Sequence, residues 1–439
     1  MAAFLGDGRG HSPSLAAFRR ALRTCTLAAV SVAAAHGRAS AQGAAPAFDN
    51  VVLVSVDSLR ADMPWAGYPR PIAPNLTALE AKAVSYTRAY AVSSYTAMSL
   101  GGLLAGRYPG ELERDGWFFG GYGRSVTFFP ELLRRAGVFT VAAHAHGYFK
   151  RSGLERGFDR WSILPKLKWN NLTDENVTSP EHEALAEREL EAAAGTGKRF
   201  FAWFHFLDPH DEYLAHKEFP AWGKSQRARY DAEVAFTDHH LGRLFAFIAS
   251  KPWGKKTLVV VTSDHGEAFG EHKQWRHGFE LWETLVRVPL FFAGPGLAAR
   301  RIDAARSSID LAPTLLEVFG VAPPSNLRGR SLTGEWKGPL LAEQPVVIDL
   351  PATSDGGRRR AVLRGKTKAV SIDKDVYLKV FDLAADPDEL TPLASKDPRV
   401  AEARAFYKAT VRNIEDRPPT RCRDLCLQGG YLRGHMPGK

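Results

Sequence analysis

The feature that most constrains this chain is Asn50-Val51-Val52-Leu53-Val54-Ser55-Val56, an apolar, mostly β-branched run that stops on Asp57. A strand with one wet face alternates polar and apolar residues, whereas a run without alternation belongs to a strand covered on both faces, as in a parallel sheet. Comparable runs lie at 138–143, 200–206, 257–262 and 288–292, separated by helical-period stretches at 75–84, 96–104, 128–136, 181–194, 227–250 and 309–319. This alternation predicts an α/β fold with a mostly parallel central sheet flanked by helices. In such folds the chemistry collects beyond the carboxyl ends of the strands.

From about Pro345 the pattern changes. The strands become shorter and more polar, as at 360–364 and 377–381, and a Ser354-Asp355-Gly356-Gly357 break separates the runs. These features predict a small antiparallel sheet with a helix at 400–414. The expected organisation is a signal peptide at 1–41, a catalytic domain at 48–335, a C-terminal α+β subdomain at 345–415 and a tail at 416–439.

The net charge of +10 narrows on inspection. Arg19, Arg20 and Arg23 precede a mildly apolar run, and Ala39-Ser40-Ala41 forms a small-residue cleavage site, so residues 1–41 read as an export signal, of general secretory or twin-arginine type. Its removal leaves 53 Lys and Arg against 47 Asp and Glu, an ordinary surface balance. The expected location is therefore periplasmic or extracellular. Cys25 would go with the signal, leaving Cys422 and Cys426 close enough in sequence to bridge in an oxidising compartment. No stretch reaches the ~18 consecutive apolar residues of a membrane span. The Arg358-Arg359-Arg360 cluster reads as a solvated strand end, and no basic stripe interleaved with aromatics points to nucleic acid.

Three strand ends carry the chemistry: Asp57-Ser58, Asp208-Pro209-His210-Asp211 and Ser263-Asp264-His265-Gly266-Glu267. Carboxylate and imidazole groups from adjacent strand ends can converge on one divalent cation while leaving positions open for substrate. The alternative for any one of them is an N-cap of the following helix.

A fourth segment, Ser93-Ser94-Tyr95-Thr96-Ala97-Met98-Ser99-Leu100-Gly101-Gly102-Leu103-Leu104-Ala105-Gly106-Arg107-Tyr108-Pro109, resembles the nucleophile-bearing helix start of sulfatases. With 54–62, Pro74-Asn75-Leu76, 263–272, 287–290 and 381–390 in family order, the chain resembles the sulfatase branch of the alkaline phosphatase superfamily over roughly 49–408. The resemblance implies an alkaline phosphatase-like fold. It places Asp57, Asp264 and His265 on metal-ligand positions and Thr96 on the metal-bound nucleophile. His210 falls on a histidine that contacts the transferred anion or protonates the leaving group, and His277 on a second anion contact, often Lys or His. For His210 and His277 a hydrogen-bonded structural histidine is the alternative. Packing or supporting roles suit His144, His146, His205 and His272 better.

Two departures from the family pattern shape the expected chemistry. Sulfatases of the usual type carry Cys or Ser at the Thr96 position, with Pro two residues on and Arg four on, and that residue becomes formylglycine; here the three are Thr96, Met98 and Leu100. No formylglycine is expected. A threonine sulfate has no elimination route to an aldehyde, whereas a phosphothreonine can be hydrolysed by in-line attack of water. Ser58 replaces an Asp found in many sulfatases, and His265 an Asn, which opens the choice of ion to Ca²⁺, Zn²⁺ or Mn²⁺, with a second ion left open. The reading is an exported metal-dependent hydrolase of small or polymeric anionic phosphate, phosphonate or sulfate esters. Its rivals are a sulfatase acting without formylglycine, a phosphoglycol or phosphoethanolamine transferase, and a non-catalytic binding module. Oligomeric state is left open.

Overall fold

The structure, a computed structural model, describes residues 48–116, 120–168, 176–353, 356–372 and 375–420. The predicted signal peptide, Cys422 and Cys426 lie outside them. Eight strands form the central sheet: β1 (Asn50–Val56), β2 (Val84–Tyr86), β3 (Phe139–His144), β4 (Arg160–Ile163), β5 (Phe200–Phe206), β6 (Thr257–Ser263), β7 (Leu290–Ala293) and β8 (Arg300–Ile302). Their order across the sheet is β8-β2-β7-β6-β1-β5-β3-β4. Within it only β7 runs against its neighbours. The mostly parallel α/β architecture is therefore as predicted.

The helices cover both faces, and the two-residue period of β1 shows how. Val51 and Leu53 join a core with Leu100 and Leu103 of α2 (Thr96–Ala105), Leu133 of α3 (Phe129–Arg135) and Leu315 of α6 (Leu311–Val318). Val52, Val54 and Val56 face the other way, onto Leu190 of α4 (Ser179–Gly195) and Leu241 and Leu244 of α5 (Gln226–Ser250). Each fully buried aliphatic side chain here stabilises the fold by ~1.5–3 kcal/mol before entropy is counted.

Local differences from the sequence reading have physical causes. The helix expected over 75–84 is α1 (Pro74–Glu80), and Val84 already belongs to β2. The run at 288–292 is broken at Pro289, which has no N–H for a ladder. Arg287–Val288 pairs with Ala89–Tyr90 in a separate three-stranded sheet, and β7 starts at Leu290.

Strands β9 (Val346–Leu350), β10 (Arg359–Arg364), β11 (Thr367–Ile372) and β12 (Tyr377–Asp382) make the antiparallel C-terminal sheet. Helix α7 (Pro398–Val411) packs Val400, Ala403 and Phe406 against Val347, Val362 and Val380 of that sheet. The sheet is bonded to the rest of the chain by the Asp349 N–H on the Val92 carbonyl at 2.7 Å. The expectation of a solvated arginine cluster fails at Arg360, which is 2% exposed and ion-paired with Asp349 and Asp416. Arg358 and Arg359 are paired with acidic groups as well, so this charge is consumed internally.

Candidate active site

The sheet register assembles the site. Val56 pairs with Phe206 on one side and Ser263 on the other, so the residues that follow β1 and β6, Asp57 and Asp264-His265, leave the sheet side by side. One ligand atom from each of Asp57, Asp264 and His265 lies within 4.8 Å of the other two, and all three side chains are buried. Ser58 turns the chain with a left-handed φ of 58°. That turn aims its N–H at Asp264 Oδ1 (3.3 Å) and its hydroxyl at Asp57 Oδ1 (3.1 Å).

Thr96 occupies the first position of α2, a helix closed at its far end by Gly106 in the left-handed conformation. Its Oγ1 lies 3.1 Å from His265 Nε2. His265 Nδ1 is 2.9 Å from the Gly266 carbonyl, which can only accept, so Nδ1 carries the proton and Nε2 presents its lone pair to the cluster. Nearby, the Trp203 indole donates to Ser55 Oγ (2.9 Å), Ser55 Oγ lies 2.8 Å from His205 Nδ1, and His205 Nε2 lies 3.2 Å from Asp57 Oδ2. His205 is thus a support for Asp57.

The electrostatics favour a cation. Burial pushes the Asp57 carboxyl up, but His210, His205 and His265 outweigh it and hold Asp57 well below the usual carboxylate range. Asp264 goes the other way, raised by burial and by the charge of Asp57. Burial lowers His265. Two carboxylates forced together with a neutral imidazole, and no Lys or Arg paired to either among the described residues, are what a divalent cation neutralises. Asp264 Oδ2 moreover faces the unprotonated His265 Nε2 at 3.3 Å, lone pair to lone pair. The donor set therefore fits the expected metal.

His210 and His277 meet beside this cluster, ring centroids 5.1 Å apart, and His277 stacks on His265 at 4.1 Å. His210 Nδ1 donates to the Asp211 carbonyl (2.8 Å), and His277 Nδ1 faces Glu267 Oε1 at 3.2 Å. All six predicted site residues, Asp57, Thr96, His210, Asp264, His265 and His277, are thus brought together.

Asp208 is not among them, and its strand end reaches the cluster through His210 instead. Its carboxylate accepts the backbone N–H groups of Thr178 (2.7 Å) and Ser179 (2.6 Å) at the start of α4, and is consumed as a cap. His144 lies buried between Phe149, Trp161 and Trp203. His272 stacks on Trp282, and His146 accepts the Tyr148 N–H. Sequence reasoning missed Glu267 and Arg60 as site residues. Arg60 is buried and binds Asp62, Glu271 and the Glu267 carbonyl. Each follows a cluster residue by two or three positions, and that proximity was their only sequence signal.

A family model described as Sulfatase matches residues 49–321, more than half of the chain. The chain belongs to the sulfatase family. Arylsulfatase K of Mus musculus is 34% identical over 188 residues, covering 40% of this chain and 34% of that protein. The chain thus spans about a third of the length of that relative. Choline-sulfatase of Rhizobium meliloti is 24% identical over 432 residues, covering 80% and 83%. Among solved structures, the phosphonate monoester hydrolase of Agrobacterium radiobacter superposes with a TM-score of 0.68 at 18% identity, covering 83% of this chain and 95% of that one, a likeness of fold. The sulfatase match includes the whole cluster and ends before β9. Among the described residues no helix is long and apolar enough to cross a membrane.

Proposed function

We propose that the protein is an exported, metal-dependent hydrolase of phosphate or phosphonate esters in which Thr96 is the nucleophile. The observation that carries this reading is the Thr96 hydroxyl at a helix N-terminus, 3.1 Å from His265 Nε2 and beside two buried carboxylates. Asp57, Asp264 and His265 would hold the cation, which when bound supplies the charge that lowers the hydroxyl's pKa and screens the substrate's anionic oxygens. Thr96 Oγ1, its proton given up to solvent water, then bonds to phosphorus as the leaving-group oxygen departs, taking a proton from His210. With Nδ1 committed to the Asp211 carbonyl, His210 gives that proton from Nε2. Water next attacks phosphorus and passes a proton to the now neutral His210, the P–Oγ1 bond breaks, and Oγ1 takes a proton from solvent water.

Phosphoryl over sulfuryl transfer is favoured by what occupies the neighbouring turn. Met98 and Leu100 are 1% and 0% exposed core residues, where conversion to formylglycine would need Pro and Arg. The family's sulfatase relatives keep sulfate esters as the second reading. The test is metal-stripped protein reloaded with Ca²⁺, Zn²⁺ or Mn²⁺ and assayed on aryl phosphate, phosphate diester, phosphonate and sulfate side by side. Activity on sulfate alone would overturn the phosphoryl assignment. Thr96→Ala should lower turnover by ~10⁴-fold or more while metal still binds, and unchanged turnover would remove Thr96 from its role.

A further inference from the structure

Glu267 is fully buried, and among the described residues no Lys or Arg is ion-paired to it. Its carboxylate faces one imidazole: His277 Nδ1 lies 3.2 Å from Oε1 and 3.3 Å from Oε2. The Ala268 N–H lies 3.3 Å from Oε1. Burying a carboxylate without a guanidinium or ammonium partner is unfavourable by several kcal/mol, so packing alone gives no reason for Glu at this place. A carboxylate accepts only, which makes Nδ1 the protonated nitrogen of His277 and leaves Nε2 on the opposite edge of the ring. That ring lies over His265 and beside His210.

The chain between the two residues explains why such a clamp is needed. Glu267 immediately precedes, and His277 immediately follows, a hairpin whose strands, Ala268–Phe269 and Trp275–Arg276, are two residues long. Its turn places His272 and Lys273 at positive φ, and Arg276 is left-handed as well, at 66°. Strands this short do not hold a side chain rigidly by themselves.

We infer that Glu267 is the positioning residue of the site: by binding Nδ1 across the base of the hairpin it sets the tautomer and orientation of His277, presenting Nε2 to the transferred anion. The inference rests on His277 being an anion contact, and the experiment separates the two. In the metal-loaded full chain, Glu267→Gln keeps the shape and removes the charge. It should lower kcat/KM on whichever aryl ester turns over by ~10–100-fold, the range for partners that orient a functional imidazole. Glu267→Asp should recover part of the loss. In a His277→Ala background, Glu267→Gln should change kcat/KM less than about two-fold, because the group it positions is gone. The ¹⁵N spectrum of the imidazoles should show the His277 Nδ1 signal moving in Glu267→Gln while the other histidines stay in place. A Glu267→Gln loss that multiplies with the His277→Ala loss, or an unmoved Nδ1 signal, overturns the positioning role. Wild-type rates in His277→Ala alone would overturn the anion-contact reading, and this inference with it.

Discussion

Two charge clusters in this chain each gather two carboxylates and differ in balance. In one, Lys368, 0% exposed at its side chain, sits 3.0 Å from Glu283 and 2.8 Å from Glu389, tying the C-terminal sheet to the turn at Glu283–Val286. The Glu283 N–H donates to Glu389 Oε2 at 2.6 Å, and Tyr90 donates to Glu283. In the other, Asp57 and Asp264 share a pocket with His265 and His205 and have no ammonium or guanidinium partner among the described residues. The first cluster carries its own counter-charge and works as a structural tie. The second is short of positive charge, a deficit that a bound cation would fill. Balance, rather than burial or composition, separates the site from the scaffold.

The widest separation between them should come from deleting a carboxylate. Asp57→Ala should take bound divalent metal from about one per chain to none by elemental analysis and lower turnover by ~10³-fold or more. Full metal content in that variant would sink the assignment of the cluster. Asp264→Asn adds a difference of sign. In metal-free protein it removes the carboxylate that burial and Asp57 already drive toward protonation, so the urea midpoint at neutral pH should rise. A fall in that midpoint would mean that the cluster is balanced without metal.

Breaking the first cluster should do the reverse. Lys368→Met leaves the buried Glu389 and the partly buried Glu283 without a counter-charge, and a loss of ~3–5 kcal/mol in unfolding free energy is expected. Metal bound per folded chain should not change. Loss of metal at unaltered stability would show that this tie belongs to the site.

Why some of this was legible in the sequence and some was not follows from the same physics. Strands β1, β5 and β6 are covered on both faces, so their runs are mostly apolar without alternation and stop on the residues that leave the sheet, which made Asp57 and Asp264-His265 visible. The edge strand β8 is three residues long and contains Arg300 and Arg301, so no apolar run announces it. Asp208 stood in the same sequence context as Asp57, yet its fate was decided by the start of α4 thirty residues away in the chain, which offers two N–H groups to its oxygens. The Lys368 tie joins residues 85 apart, and its counter-charge cannot be paired by spacing. Local pattern reported burial and strand ends; the partners that decide whether a charge is matched are non-local.

A buried carboxylate outside both clusters tests whether burial alone makes a site. Asp310, at the start of α6, accepts backbone N–H groups from Ser307 (3.0 Å) and Arg330 (2.9 Å), and burial pushes its pKa up to about 6 despite them. The folded chain then holds a proton on Asp310 that the unfolded chain, with a carboxyl near the ordinary value of ~3.9, has released. Between about pH 4 and pH 6 the native state binds more protons at this position, so its contribution to stability falls as pH rises through that window and is flat above it. Two pKa units correspond to about 3 kcal/mol at most, and Asp310→Asn should remove this slope while giving up part of the hydrogen bonding. The difference in unfolding free energy between Asp310→Asn and the parent should therefore shift in favour of the variant from pH 4 to pH 6.5 in urea titrations, with metal content untouched. A difference that stays constant across that range would mean Asp310 is already ionised at pH 4. Two N–H groups would then suffice to balance a buried carboxylate, and the contrast between the clusters would rest on the want of an ammonium or guanidinium beside Asp57 and Asp264 among the described residues.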